Sequence, residues 1–217
     1  MKRGAIFDMD GTLFDTEKLY RQMWLDVAEE FGEEKNFELP TAISGTNLGE
    51  ESLRIIRKFY PNIDAEAYLA RVLEEVRAAA EKNLELMAGV EEILMFLKSA
   101  GVKCAVASSS PAELIERNLK RTNLRGYFES VVGGDQVSNS KPAPDIFLLA
   151  AKELNLALSD CYIFEDSLNG IRAAAASGGA AIMIPDTVQP TDEIKNLCAA
   201  IYPNLTEAKL SIERGEI

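Results

Sequence analysis

The sequence predicts an α/β fold: a doubly wound parallel sheet carrying an all-helical insertion. Two patterns point to it. Short apolar stretches alternate with helical patterns along most of the chain, and one long segment directly after the first stretch has helical periodicity alone. A chain of 217 residues is long enough for one sizeable core and a small second domain.

The apolar stretches are AIFD (5–8), VKCAVAS (102–108), SVVGG (130–134), CYIFED (161–166) and AAIMIP (180–185). They are rich in Val, Ile, Phe and Ala and lack polar alternation, which suits strands buried on both faces of a parallel sheet. Helical patterns at 90–100, 112–121, 144–154, 168–177 and about 191–198 separate or follow them. Within 16–85 the runs EKLYRQMWLDVAEEF, GEESLRIIRKFY and DAEAYLARVLEEVRAAAEKNLEL place apolar residues three and four apart, as at Leu69, Val72, Leu73 and Val76. Residues 1–15 and 86–217 are therefore expected to form the α/β core domain and 16–85 a helical cap domain. The crossings are expected near Phe14–Glu17 and Asn83–Gly89.

The formal net charge of −12 argues against a nucleic-acid backbone or an anionic membrane as partner. No apolar run reaches the ~20 residues of a membrane span. The opening MKRGAIFDMDG is not a signal-peptide pattern, and the scattered cysteines Cys104, Cys161 and Cys198 suit buried thiols in a cytoplasmic protein. There is no histidine. Ser-His-Asp and Cys-His nucleophiles, HExxH zinc sites and phosphohistidine chemistry are thereby excluded. If the chain is an enzyme, its chemistry is expected to rest on carboxylates, lysine and hydroxyls, with or without a metal.

Ligands in open α/β sheets bind beyond the carboxyl ends of the strands. Four loops there carry reactive residues. The first holds Asp8, Asp10, Gly11 and Thr12. Two carboxylates about 4 Å apart repel by roughly 4 kcal/mol at an effective dielectric near 20, so something must offset them. A calcium loop does not: counted from Asp8, Leu13 stands where an EF-hand needs glycine and Leu19 where it needs glutamate. A structural turn is the other reading. In the second loop, Ser110, Pro111 and Glu113 spell a helix start with Ser110 as N-cap, which sets Ser108 and Ser109 beside free N–H groups. That is an anion site or simply a capped helix. Lys141 in SKPAPD is a solvated loop lysine or the cation such an anion needs. Glu165 and Asp166 cap the following helix or form a second acidic cluster. Four carboxylates at one sheet edge would call for a divalent cation, and oxygen-only ligands favour Mg²⁺.

In this order, FDMDGTLFDTE, the serine of VASSS, the lysine of SKPAPDIF and FEDSLNGIRAAAASG resemble the motifs of the haloacid dehalogenase superfamily. The placement of the helical insertion resembles the β-phosphoglucomutase-like phosphatases of that superfamily. LMAGVEEILMFLKSAG (86–101) looks like that group's return into its Rossmann-like core, with Ala88 where proline is commoner. The resemblance implies an Mg²⁺-dependent phosphatase acting on a small phosphorylated metabolite such as a sugar phosphate, through an aspartyl-phosphate. It implies Asp8 as nucleophile and Asp10 as general acid and base. Ser108, Ser109 and Lys141 would hold the phosphoryl group. Mg²⁺ would sit on Asp8, the Asp10 carbonyl and Asp166, with Glu165 a ligand or a neighbour of one. Glu17, Tyr20, Thr46 and Asn47 are the candidate substrate contacts of the cap. A monomer is the expectation for a capped enzyme of this size.

Two alternatives stand beside the phosphatase. One is a β-phosphoglucomutase-like phosphomutase. Such mutases carry a histidine where this chain has Tyr20 and an arginine in the cap turn, where none precedes Arg54. The other is a catalytically silent binding or regulatory module. Dehalogenase chemistry ranks lower, because halide displacement does not need the second aspartate.

Overall fold

The computed structural model describes residues 1–43 and 49–217. The chain divides into two compact units, Met1–Phe14 with Leu86–Ile217, and Asp15–Glu85.

The larger unit is a parallel sheet of β1 (Gly4–Phe7), β2 (Lys103–Ser108), β3 (Ser130–Gly133), β4 (Cys161–Glu165), β5 (Ala180–Met183) and β6 (Ala200–Ile201). Spatial order is β3-β2-β1-β4-β5-β6, and every pairing is parallel. The doubly wound fold is thus as the uninterrupted apolar stretches predict. All residues of β1 and β4 are buried, because both faces of the sheet are covered. On one face Ile6, Ala105, Val132, Ile163 and Ala181 join Phe147, Ala150, Ile171 and Ala174 in one apolar cluster. Elsewhere Phe7 stacks on Phe164 at 4.6 Å between centroids and meets the edge of Phe128 at 6.1 Å.

Six helices belong to this unit. They follow the helical unit's α1–α4 in chain order, so they are α5 (Val90–Ser99), α6 (Ala112–Arg121), α7 (Asp145–Glu153), α8 (Leu168–Ser177), α9 (Asp192–Leu197) and α10 (Leu205–Glu213). Two elements of this unit, and the short α2 (Leu39–Ile43) of the helical one, lie beyond the sequence expectation. The strand β6 is two residues long, too short to leave a periodicity. Helix α10 starts at a capping signal in PNLTE, where the Asn204 side chain accepts from the Glu207 N–H at 2.9 Å.

The helical unit comprises α1 (Thr16–Glu30), α2 (Leu39–Ile43), α3 (Glu50–Phe59) and α4 (Ala65–Lys82). Asp15 and Asp64 cap α1 and α4 by accepting from the N–H groups of Lys18 and Ala67. Its core gathers Trp24, Val27, Leu39, Ile56, Tyr68 and Val72. The Tyr68 hydroxyl donates to the Trp24 carbonyl, which satisfies the one polar atom of a fully buried ring. Among the described residues, no helix is long and apolar enough to cross a membrane. Cys104 and Cys161 are buried, as expected; Cys198 is only half-buried because it ends the short edge helix α9.

Candidate active site

The four reactive loops follow the carboxyl ends of β1, β2, β3 and β4. Strand β1 lies between β2 and β4, where the chain's winding reverses, and loops at such a point part to leave a crevice. Asp8 extends β1 by one residue, its N–H donating to the Phe164 carbonyl at 2.9 Å. Ser108 and Glu165 are the last residues of their strands, and Asp166 follows at once.

These loops bring Asp8, Lys141 and Glu165 into contact. The Lys141 ammonium donates to Asp8 Oδ1 and to Glu165 Oε1, both at 2.6 Å. Its side chain is 7% exposed and lies over the Phe147 ring at 5.1 Å. Glu165 is 1% exposed, and its other oxygen accepts from the Ser167 N–H at 2.7 Å and the Ser167 hydroxyl at 2.9 Å. Ser167 in turn caps α8 by accepting from the Gly170 N–H at 3.0 Å. So the helix is capped by Ser167, and Glu165 serves the lysine. Gly170 has no side chain for a plain steric reason: a Cβ there would overlap the Glu165 carboxylate.

Oxygen atoms of Asp8, Glu165 and Asp166 lie within 4.8 Å of one another. Loss of water pushes the Asp8 carboxyl up to about 8; Glu165 and Asp10 add to the rise, while Lys141 opposes it. Asp166 is raised well above the ordinary carboxylate range, again first by burial and then by Glu165 and Asp8. For Lys141, burial alone would favour the neutral amine, but Asp8 and Glu165 outweigh it and raise its pKa.

The residues fit a divalent cation. Ionised Asp8, Glu165 and Asp166 against one ammonium leave a formal −2, which one such ion neutralises. All donors are oxygens, the ligand set of Mg²⁺. Glu165 already has both oxygens hydrogen-bonded, so Asp8 and Asp166 are the carboxylates better placed to supply bonds to it.

Around Asp8 the chain turns tightly. Leu13 and Phe14 N–H groups both donate to the Met9 carbonyl, and Gly11 N–H to the Phe14 carbonyl. Gly11 has φ +76°, and a Cβ on it would press on the Asp166 carboxylate at 2.5 Å. Glycine therefore meets two demands there, one conformational and one steric. The Thr12 hydroxyl is fully buried and has no hydrogen-bond partner among the described residues.

The loop after β2 departs from expectation. Helix α6 begins at Ala112 with Pro111 in the cap position, so Ser110 is not the N-cap. The free N–H of Ala112 donates instead to Asp135 Oδ1 at 2.9 Å, across from the turn that follows β3. A proline has no side-chain acceptor, and a carboxylate from another loop substitutes for one. Ser110 donates its hydroxyl to Asp10 Oδ2 at 3.1 Å. Ser108 is buried and accepts from the Ser110 N–H at 3.1 Å, while Ser109 is exposed. The contacts of Ser110, Asp135 and Ser167 lie beyond the sequence expectation. GGD directly after β3 was the available signal for Asp135.

Glu17 and Tyr20 lie on α1 of the helical unit, both half-buried, with Tyr20 packed against that unit's core. Thr46 and Asn47 lie outside the described residues.

Residues 5–184 match the haloacid dehalogenase-like hydrolase family. The chain belongs to that family. Among curated relatives of this haloacid dehalogenase-like hydrolase, a phosphorylated carbohydrates phosphatase of Thermotoga maritima is 39% identical over 80% of this chain and 81% of its own. The fructose-1-phosphate phosphatase YqaB of Escherichia coli is 33% identical over 82% and 94%. A solved Thermotoga maritima structure, provisionally named a beta-phosphoglucomutase, superposes with a TM-score of 0.83 at 32% identity and covers 99% of each chain.

Proposed function

We propose that this hydrolase is an Mg²⁺-dependent phosphatase that cleaves small phosphate monoesters, sugar phosphates foremost, through an aspartyl-phosphate on Asp8. The observation that carries the proposal is the bridge from Lys141 to Asp8 and Glu165 inside a buried acid cluster at the strand ends. The names of the relatives, a phosphorylated carbohydrates phosphatase and a fructose-1-phosphate phosphatase, support the substrate class.

In the first step an Asp8 oxygen attacks phosphorus. The bond from phosphorus to the ester oxygen breaks, and Asp10 gives that oxygen a proton. In the second step water attacks the same phosphorus, Asp10 takes its proton, and the phosphorus–Asp8 bond breaks to release inorganic phosphate. Lys141, Ser108 and Ser109 hold the transferring oxygens. Asp8, the Asp10 carbonyl and Asp166 would hold the cation, with Glu165 steering Lys141. Bound there, Mg²⁺ supplies positive charge that lets an anionic carboxylate approach an anionic ester. Uncatalysed monoester hydrolysis is among the slowest reactions known, with accelerations up to ~10²¹, and fixed charges of this kind carry most of such a gain. The helical unit is assigned the role of a cap that selects the leaving group through Glu17, Tyr20, Thr46 and Asn47.

The test is phosphate release from a panel of sugar phosphates, with Mg²⁺ and with EDTA, and with no bisphosphate added. Release from several esters that EDTA stops and Mg²⁺ restores is expected. Isomerised sugar phosphate forming faster than free phosphate would favour the mutase reading, which the beta-phosphoglucomutase name of the structural neighbour keeps in view. No turnover of any ester would remove the phosphatase reading.

The raised acids also set a pH dependence for the metal-free protein. The unfolded chain ionises Asp8 from about pH 4, whereas the folded chain holds the proton to about 8. Stability from this group is therefore complete below about pH 4 and is withdrawn as pH rises to about 8, by up to about 1.4 kcal/mol per pH unit. Melting in EDTA should show Tm falling between pH 5 and 8. The fall should be shallower in Asp8→Asn, and Mg²⁺ should restore more Tm at pH 8 than at pH 5. Equal slopes in the two proteins would contradict the assignment.

A further inference from the structure

We infer that Ser110 is a positioning residue for the general acid and base: its hydroxyl holds the Asp10 carboxyl in place and ties it to the phosphate-binding loop. The inference rests on the phosphatase reading above and assigns a part that the motifs do not.

Three bonds fix Ser110. Its N–H donates to Ser108 Oγ at 3.1 Å, its carbonyl accepts from the Gly134 N–H at 3.0 Å, and its hydroxyl donates to Asp10 Oδ2 at 3.1 Å. The segment on either side is held as well. Ala112 N–H is bound by Asp135, and a Cβ on Gly134 would run into the Ser109 carbonyl. The Ser110 hydroxyl thus projects from backbone clamped on both sides, so it can restrain Asp10. Asp10 itself lies in the tight turn beside the nucleophile, and the same serine reaches Ser108 through its N–H. Phosphate loop and acid–base group are therefore joined by one residue.

Geometry of this kind matters for proton transfer. A carboxyl held by one bond fewer spends more of its time away from the leaving oxygen, and misplacement by about 1 Å costs on the order of 100-fold. Protonation of the leaving group matters for a sugar alkoxide and hardly at all for p-nitrophenolate, a stable anion. The step up to departure of the leaving group is what kcat/KM reports.

Ser110→Ala and Ser110→Thr are compared with the unaltered protein on a sugar phosphate and on p-nitrophenyl phosphate, with Mg²⁺ present. For Ser110→Ala we expect kcat/KM on the sugar phosphate to fall about 10- to 100-fold and on p-nitrophenyl phosphate by no more than about threefold. Ser110→Thr keeps a hydroxyl and should recover most of the loss. Equal losses on both substrates would assign Ser110 to the phosphate loop alone and overturn the inference, as would unchanged kinetics in Ser110→Ala. Tm of both variants separates a folding defect from either result: a loss confined to the sugar phosphate in a protein with unaltered Tm supports the inference. If the unaltered protein turns over neither ester, the phosphatase reading fails and the inference with it. If it turns over both and the variants fail to discriminate them, only the inference fails.

Discussion

Asp8→Asn is expected to lower phosphate release from a sugar phosphate by about 10⁴-fold or more, while leaving the fold intact. An amide is not a nucleophile toward phosphorus, and no histidine, and no other acid in the position of Asp8, stands in for it. The same change removes the carboxyl that burial pushes up to about 8, so nothing is left there to ionise at a cost, and Lys141 keeps the Glu165 carboxylate as its buried partner. Activity and stability therefore part company. Turnover disappears, and at pH 8 in EDTA the variant melts no lower than the unaltered protein. Steady-state phosphate release and thermal melting on one preparation check both. Retained turnover in Asp8→Asn would refute the aspartyl-phosphate and point to another nucleophile.

Lys141→Met should damage the protein on both counts. Methionine keeps an unbranched apolar stem over Phe147 but leaves Asp8 and Glu165 buried without their ammonium. Breaking a buried pair from one side costs about 3–5 kcal/mol. In a chain of this length that lowers Tm by about 6–20 °C. Loss of one preorganised positive charge on the transferring group should cut kcat by a further 10²–10³-fold or so. Magnesium should raise the Tm of the variant more than that of the unaltered protein, since the ion becomes the main neutralising charge among the acids. A variant with ordinary Tm and ordinary kcat would show that the bridge carries neither fold nor chemistry.

Much of this architecture could be read before any coordinates. Buried parallel strands leave unbroken apolar runs, and β1 to β5 were visible for that reason. The acids after β1 and β4 were visible because charge directly after an apolar run is unusual. Lys141 alone would pass for a solvated lysine. Only the fold, in which β1 lies beside β4 and the chain after β3 comes back over that edge, brings it to Asp8 and Glu165. What stayed hidden depends on pairs distant in sequence. Asp135 caps a helix that begins at Ala112, and Ser110 reaches Asp10 across the sheet edge. Local pattern gave Ser110 a cap role because Ser-Pro-x-Glu is a sound helix-start signal. Pro111 took the cap position itself and freed the serine for other work. The two-residue β6 fell below any pattern, and the substrate contacts proposed for the helical unit depend on orientation, which periodicity does not supply.

The crossing between the units has an evolutionary consequence. Phe14 bridges to Leu86 and Met87 donates to the Leu13 carbonyl at 3.0 Å, while on the other side Asp15 donates to the Glu85 carbonyl at 3.0 Å. Outgoing and returning chain are thus paired on both sides of the crossing. An insert so attached can be lengthened, shortened or exchanged for another without altering the register of any strand. Under the proposed function, such an exchange would change which ester is accepted and leave the strand-end residues where they are.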